Sequence, residues 1–161
     1  MRRLALLALL LAPSIPRPTG ACSAVSENAG ERQLDPAFST DLVPPSAVTA
    51  SAVVDRDDDD GGGGGCNGAQ CVTSGSFVFI SVYAMDDRAQ KEQLGYRLTL
   101  ASGELPAGMN LPTTAVISDY GELRLRFPND APAFAFELEI RAVDLNGNNG
   151  PATVIAVSDP G

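Results

Sequence analysis

The feature that most constrains this 161-residue chain is a strict alternation of apolar and polar side chains in its second half. In residues 122–127 (ELRLRF) leucine and phenylalanine alternate with arginine, and residues 134–143 (FAFELEIRAV) extend the same pattern over a longer run. A period of two places successive side chains on opposite faces of an extended chain, and an amphipathic helix cannot produce it. Both segments therefore predict strands with one buried face.

Five other stretches of strand-forming residues are separated by turn signals and bring the number of predicted strands to seven: residues 47–54, 77–85, 96–100, 114–117 and 152–157. Runs at this spacing are typical of β-sandwiches and barrels. Residues 77–85 (FVFISVYAM) are apolar on both alternations, which predicts a central strand. In the next run we expect Tyr96, Leu98 and Leu100 to face inward. The sequence predicts an all-β fold, a seven-strand antiparallel β-sandwich over residues 42–158.

The end of the longest alternating run resembles the sixth strand and following turn of fibronectin type III and related immunoglobulin-like modules. The residues that carry this resemblance are Phe136, Leu138, Ile140, Ala142, Asp144 and Gly147. Residues 142–148 (AVDLNGN) are similar to bacterial secreted versions, and so is the opening Val43-Pro44-Pro45; residues 105–108 (LPAG) are similar to bacterial cadherin-like and immunoglobulin-like modules. The resemblance implies a sandwich of this type, and such modules are mostly non-catalytic binding or spacer units.

The first residues have the pattern of an export signal. A short basic start, Met1-Arg2-Arg3, precedes an unbroken apolar run over residues 4–12. This run is too short to span a bilayer as a helix but suits the apolar region of a secretory signal. We therefore expect residues 1–21 to be a signal peptide and the protein to be exported.

The residues around the expected cleavage point are compatible with two kinds of processing, lipoprotein maturation and ordinary signal-peptide cleavage. Thr19-Gly20-Ala21-Cys22 is similar to the lipobox of bacterial lipoproteins, in which the cysteine is lipidated and becomes the mature N-terminus. Ordinary cleavage after Ala21 or Ala24 is the alternative, since both place small residues beside the cut. The expected location is an outer-membrane or periplasmic lipoprotein held to the membrane only through lipid on Cys22, or alternatively a secreted protein. Residues 22–41 are polar and irregular, which predicts a flexible tether.

The other two cysteines, Cys66 and Cys71, enclose a short polar loop. In an oxidising compartment two such cysteines are expected to form a disulfide. A metal site is the alternative, although two thiolates without histidine supply only half of a zinc shell.

Charge and composition exclude several classes of function. Acidic residues outnumber Lys and Arg by 20 to 11, for a net charge of −9, and the chain has no His. Phosphate backbones repel so acidic a protein, so we expect no nucleic-acid binding. Without His, catalytic triads built on imidazole are absent. We therefore expect the chain not to be an enzyme and to need no cofactor. We expect it to be an interaction or structural module at the cell surface or in the periplasm, with a protein or cell-surface partner.

One alternative is a calcium-dependent adhesion module. Asp55, Asp57 and Asp59 alternate in an acidic stretch that runs into five glycines, and calcium is bound by several converging carboxylate oxygens. The competing interpretation is a solvated acidic loop.

Two further groups of polar residues could form a metal site or a catalytic site, but each also has a purely structural interpretation. Asp144, Asn146 and Asn148 could supply metal-ligating oxygens, but Asx residues beside glycine are more typical of turns. A small carboxylate-dependent hydrolase is the remaining alternative, with the acids Asp86, Asp87 and Glu92, which we expect to be exposed loop residues instead.

The aromatic residues Phe77, Phe79 and Tyr83 lie on the second face of the run 77–85. They are expected to pack under loops or, if exposed, to form a patch that meets a partner.

Overall fold

The computed structural model describes residues 30–56 and 75–161, together with the backbone of residues 66–67 and 70–71. Its strands, in chain order, are β1 (Gly30–Glu31), β2 (Thr49–Asp55), β3 (Cys66–Asn67), β4 (Gln70–Cys71), β5 (Ser76–Tyr83), β6 (Gly95–Gly103), β7 (Val116–Ile117), β8 (Glu122–Phe127), β9 (Phe134–Val143) and β10 (Thr153–Asp159). The helical elements in this part of the chain are two single 3-10 turns, Pro36–Phe38 and Lys91–Gln93, and neither has the length to span a bilayer. The predicted all-β class is confirmed.

Each predicted run coincides with one of the longer strands or with β7, and residues 122–127 and 134–143 match β8 and β9 residue for residue. Tyr96 and Leu98 are buried as predicted, whereas Leu100 lies on the same face, opposite the buried Leu138, but is 40% exposed. The pairing of β6 with β9 shifts between Leu100 and Ser102. From Leu100 onward all residues of β6 are exposed, so this end of the strand extends beyond the core, which alternation alone does not reveal.

The strands form two antiparallel sheets and a separate short hairpin. The larger sheet has the order β1-β7-β6-β9-β10, and the smaller has the order β2-β5-β8. The hairpin pairs β3 with β4 and places the backbone of Cys66 opposite that of Cys71. The side chains of both cysteines lie outside the described residues, as do residues 1–29 with Cys22, so the disulfide, signal peptide and lipidation stay predictions.

The inner faces of the two sheets share one hydrophobic core, which gives a β-sandwich-like arrangement. The smaller sheet contributes fully buried side chains such as Ile80 and Leu123, and the larger sheet contributes Leu138 and Ile140. These side chains come from alternate positions of their strands, so the period-two pattern of the sequence is the pattern of burial.

Residues 30–41, the later part of the predicted tether, lie against the sheets. β1 pairs with β7, and the Asp35 backbone N–H donates to the Leu145 carbonyl at 2.8 Å. The Phe38 side chain packs on the core, and Asp41 is 2% exposed. Backbone hydrogen bonds to β7 and to the loop after β9 therefore hold residues 30–41 in contact with the domain.

Candidate functional site at the loop end

Four connecting segments meet at one end of the sandwich. The register places Thr49 opposite Tyr83, and the Val82 N–H donates to the Gly121 carbonyl at 2.8 Å, so the start of β2, the end of β5 and the turn before β8 are together. Gly95 lies opposite Val143, which brings the start of β6 to the end of β9. We call the segments 41–48, 84–94, 118–121 and 144–152 the loop end.

Three aspartates from different segments of the loop end converge. Asp41, Asp86 and Asp144 each place one carboxylate oxygen within 4.8 Å of the others. Asp41 and Asp144 are buried, at 2% and 1% exposure, and Asp86 is half-buried. Like charges at this separation repel by about 3 kcal/mol per pair at an effective dielectric constant near 20. The cluster therefore needs compensation from hydrogen bonds or from a cation.

The carboxylate of Asp144 receives that compensation from its own turn. Its Oδ1 accepts from the backbone N–H groups of Asn146 and Asn148 at 2.9 and 2.8 Å, and its Oδ2 accepts from Asn148 Nδ2 at 2.7 Å. The amides of Asn146 and Asn148 also donate to the Asp41 carbonyl at 2.7 and 2.9 Å. The Asx turn predicted from the sequence is present, and it ties Asp41 to the end of β9.

The other two carboxylates are only half satisfied. Asp41 Oδ1 accepts from the Val43 N–H at 3.1 Å, and Asp86 Oδ2 accepts from the N–H groups of Arg88 and Ala89 at 3.0 and 2.6 Å. Asp41 Oδ2 and Asp86 Oδ1 are buried and have no hydrogen-bond partner among the described residues. Burying a carboxylate oxygen without a hydrogen-bond partner is unfavourable in free energy. In native proteins such an oxygen usually has a specific explanation, such as a bound ion or water.

Arg32 brings a positive charge toward this cluster without pairing to it. Burial lowers the pKa of Arg32 below its ordinary value, while the charges of Asp144 and Asp35 act in the opposite direction. Within the described chain its guanidinium forms no ion pair within 4.0 Å, and its Nε and one terminal nitrogen are buried without a partner. Arg32 therefore reduces the local negative charge but does not occupy the unpaired oxygens of Asp41 and Asp86.

A cleft of about 520 Å³ at the loop end is lined by residues other than the three aspartates. It is lined by Ser81, Val82, Tyr83, Lys91, Glu92, Tyr96, Ser118, Asp119, Tyr120 and Gly121. Tyr83 is 51% exposed and Tyr120 is fully exposed. The cleft therefore combines aromatic surface with both signs of charge.

A tight hairpin presents Tyr120 to solvent. Asp119 and Glu122 exchange two backbone hydrogen bonds of 2.9 Å, and both central residues have positive φ, 50° for Tyr120 and 84° for Gly121. This is the backbone of a type I′ turn, in which Asn or Gly is usual at both central positions. Tyr120 is the non-glycine residue with positive φ in the described part of the chain.

The predicted aromatic patch is spread along the outer face of β5. Phe77 and Phe79 are half-buried there, with their ring centroids 5.8 Å apart, and Tyr83 is more exposed. The Arg124 guanidinium lies 5.8 Å from the centre of the Phe79 ring, which covers part of that residue. Of the three, only Tyr83 lines the cleft.

The remaining predicted residues lie apart from the aspartate cluster. Asp55 is exposed at the far end of β2, opposite Phe77, and Asp57 and Asp59 lie outside the described residues. Asp87 and Glu92 are exposed loop residues. The sequence points to Asp86 and Asp144 separately and gives no signal for Asp41, because the three aspartates meet only through the pairing of distant strands.

Comparisons with protein-family models, with curated proteins and with solved structures found no match for this chain.

Proposed function

We propose that this chain is an exported, non-catalytic interaction module, a fibronectin type III-like or immunoglobulin-like sandwich that recognises a protein partner through the cleft of the loop end. The observation that carries the proposal is the pair of exposed tyrosines, Tyr83 and Tyr120, on the rim of that cleft. Exposed aromatic side chains around a concave surface mark interaction sites more often than isolated exposed apolar residues do.

The chemistry of the cleft favours a protein partner. Residues 118–121 read Ser-Asp-Tyr-Gly, a composition like that of binding loops in antibodies, where tyrosine supplies rigid contact area and small polar residues supply adaptable hydrogen bonds. Lys91 and Glu92 add one charge of each sign to the lining. Tyrosines surrounded by such polar groups suit a polar segment of another protein better than a lipid.

The backbone of Tyr120 supports the same interpretation. A non-glycine residue in the left-handed region costs about 1–2 kcal/mol, and strain of this kind concentrates at binding and catalytic sites. Tyr120 is fully exposed, so contacts within the described chain do not offset that cost. A partner contact gives a reason for keeping an unfavourable residue at this position.

The partner cleft can be tested by site-specific cross-linking. A photo-reactive phenylalanine analogue replaces Tyr120 in the organism of origin, and a matched protein carries it at Val154, which is 52% exposed on β10. We expect one dominant adduct from position 120 that is absent from position 154. The purified partner should then bind the Tyr120→Ala protein at least about tenfold more weakly than the wild type. Identical adducts from both positions, or unchanged affinity, would contradict the proposal.

Export and the absence of catalysis need their own measurements. The intact mass of the protein from its native host should show removal of residues 1–21, with lipid on Cys22 or without it, and a loss of about two mass units for a Cys66–Cys71 disulfide. A full-length mass would contradict export. Turnover of a glycoside or ester substrate that disappears in the Asp87→Asn protein would establish the hydrolase alternative instead.

A further inference from the structure

We infer that Asp41, Asp86 and Asp144 form a binding site for a divalent cation of the hard, oxygen-preferring class, with calcium as the favoured ion. The site lies at the loop end, beside the tyrosine cleft and separate from it. It does not depend on the proposed partner, and it is a different site from the acidic stretch at residues 55–59.

The spacing of the oxygens fits calcium. Calcium binds oxygen ligands at about 2.3–2.6 Å. Two ligands on opposite sides of the ion are then separated by roughly twice that distance. The three carboxylate oxygens lie within 4.8 Å of one another, which falls in the range of ligand separations around one calcium ion. Carboxylates are ligands that calcium prefers.

The unpaired oxygens of Asp41 and Asp86 support a cation site independently of the spacing. Asp41 is 2% exposed, and its Oδ2 is buried with no hydrogen-bond partner among the described residues. Asp86 Oδ1 is in the same condition. In both residues the other oxygen is held by backbone N–H groups of the following turn, which fixes the carboxylate. Each side chain is thus oriented by one oxygen and leaves the other for a cation.

The nearby arginine side chains do not compensate the three carboxylates in place of a metal ion. Arg32 acts on Asp144 through its charge but forms no ion pair with the cluster in the described part of the chain. Arg88 is exposed and directs one guanidinium nitrogen to Thr40 Oγ1 at 3.4 Å. A bound cation would compensate the three carboxylates and would connect the segment before β2 to the loops that follow β5 and β9.

The test measures the melting temperature of the purified full-length protein after treatment with EDTA, with and without 1 mM calcium. We expect calcium to raise the wild-type melting temperature by about 5 °C or more, and equimolar magnesium to raise it less. In Asp86→Asn the amide oxygen can still accept from Arg88 and Ala89, but the second ligand oxygen is lost. That variant should lose the calcium response and, without calcium, melt no lower than the wild type, because one repelling charge is gone.

Two matched variants locate the ion. Asp87→Asn removes the same charge from the adjacent exposed residue and should keep the full calcium response. The triple variant Asp55→Asn, Asp57→Asn, Asp59→Asn should keep it as well. The inference is overturned if the wild type shows no response up to 5 mM calcium, if Asp86→Asn responds like the wild type, or if the triple variant alone loses the response. Asp41→Asn provides a second ligand variant with the same expected result.

Discussion

The Arg56 side chain and the Asp159 carboxylate are separated by 103 positions in the sequence, and they meet as an ion pair with 2.6 Å between Nε and Oδ2. Asp159 is 8% exposed and the Arg56 side chain 20% exposed. The guanidinium also donates to the Asn129 carbonyl at 3.2 Å and lies 5.5 Å from the centre of the Phe127 ring. This pair connects the end of β2 to the end of β10, at the end of the sandwich away from the aspartate cluster.

Asp159→Asn should lower the free energy of unfolding by about 2 kcal/mol, because it leaves the largely buried Arg56 without its counter-charge. Chemical denaturation of the wild type and of Asp159→Asn measures this difference in the free energy of unfolding. The control is Glu92→Gln, which breaks the exposed Lys91–Glu92 pair of 3.6 Å and should change stability by less than about 0.5 kcal/mol. Equal effects in the two variants would show that the Arg56–Asp159 pair contributes no more than a surface pair.

Tyr120→Asn should raise the free energy of unfolding by about 0.5–1 kcal/mol, since asparagine adopts positive φ more readily than tyrosine. The same variant should lose the cross-linked partner, so stability and binding change in opposite directions. Denaturation and binding assays on one preparation test both parts. A loss of stability would show instead that the Tyr120 side chain contributes to the fold.

Tyr96 predicts a loss of stability at alkaline pH. Burial raises the pKa of Tyr96 above its ordinary value of 10.0, while a hydrogen bond with the Ala84 backbone acts in the opposite direction. Above pH 10 the unfolded chain releases this proton while the folded chain retains it. Stability from the neutral hydroxyl is therefore complete below pH 10 and declines as the pH rises toward the folded-state pKa. Urea denaturation between pH 8 and 11 should show a steeper decline for the wild type than for Tyr96→Phe, and parallel declines would contradict this.

Much of the fold follows from the sequence because burial in a two-layer arrangement follows the strand period. Alternation in residues 122–127 predicts one buried face, and the three apolar residues of that face, Leu123, Leu125 and Phe127, are all buried. Alternation places Leu100 on the correct face, opposite Leu138, but it does not show that β6 is exposed from Leu100 onward. The contact of residues 30–41 with the sheets also has no periodic signal, since it depends on a two-residue strand and single hydrogen bonds.

The candidate sites were less predictable because they are tertiary. The sequence predicts a turn role for Asp144, and its hydrogen bonds confirm that role. Within residues 144–148 Asp144 is the one charged residue, but the fold brings Asp41 and Asp86 to it. The sequence predicts Tyr83 as part of a patch but gives no signal for Tyr120, because a tyrosine in a type I′ turn contradicts ordinary turn preferences.

The binding of a cation by Asp41, Asp86 and Asp144 is tested most directly by anomalous diffraction. A crystal of the protein soaked in calcium, or in terbium as its substitute, should show one strong anomalous peak about 2.3–2.6 Å from a carboxylate oxygen of each aspartate. The claim would be contradicted by a map without a peak among these residues, or by a peak only at residues 55–59.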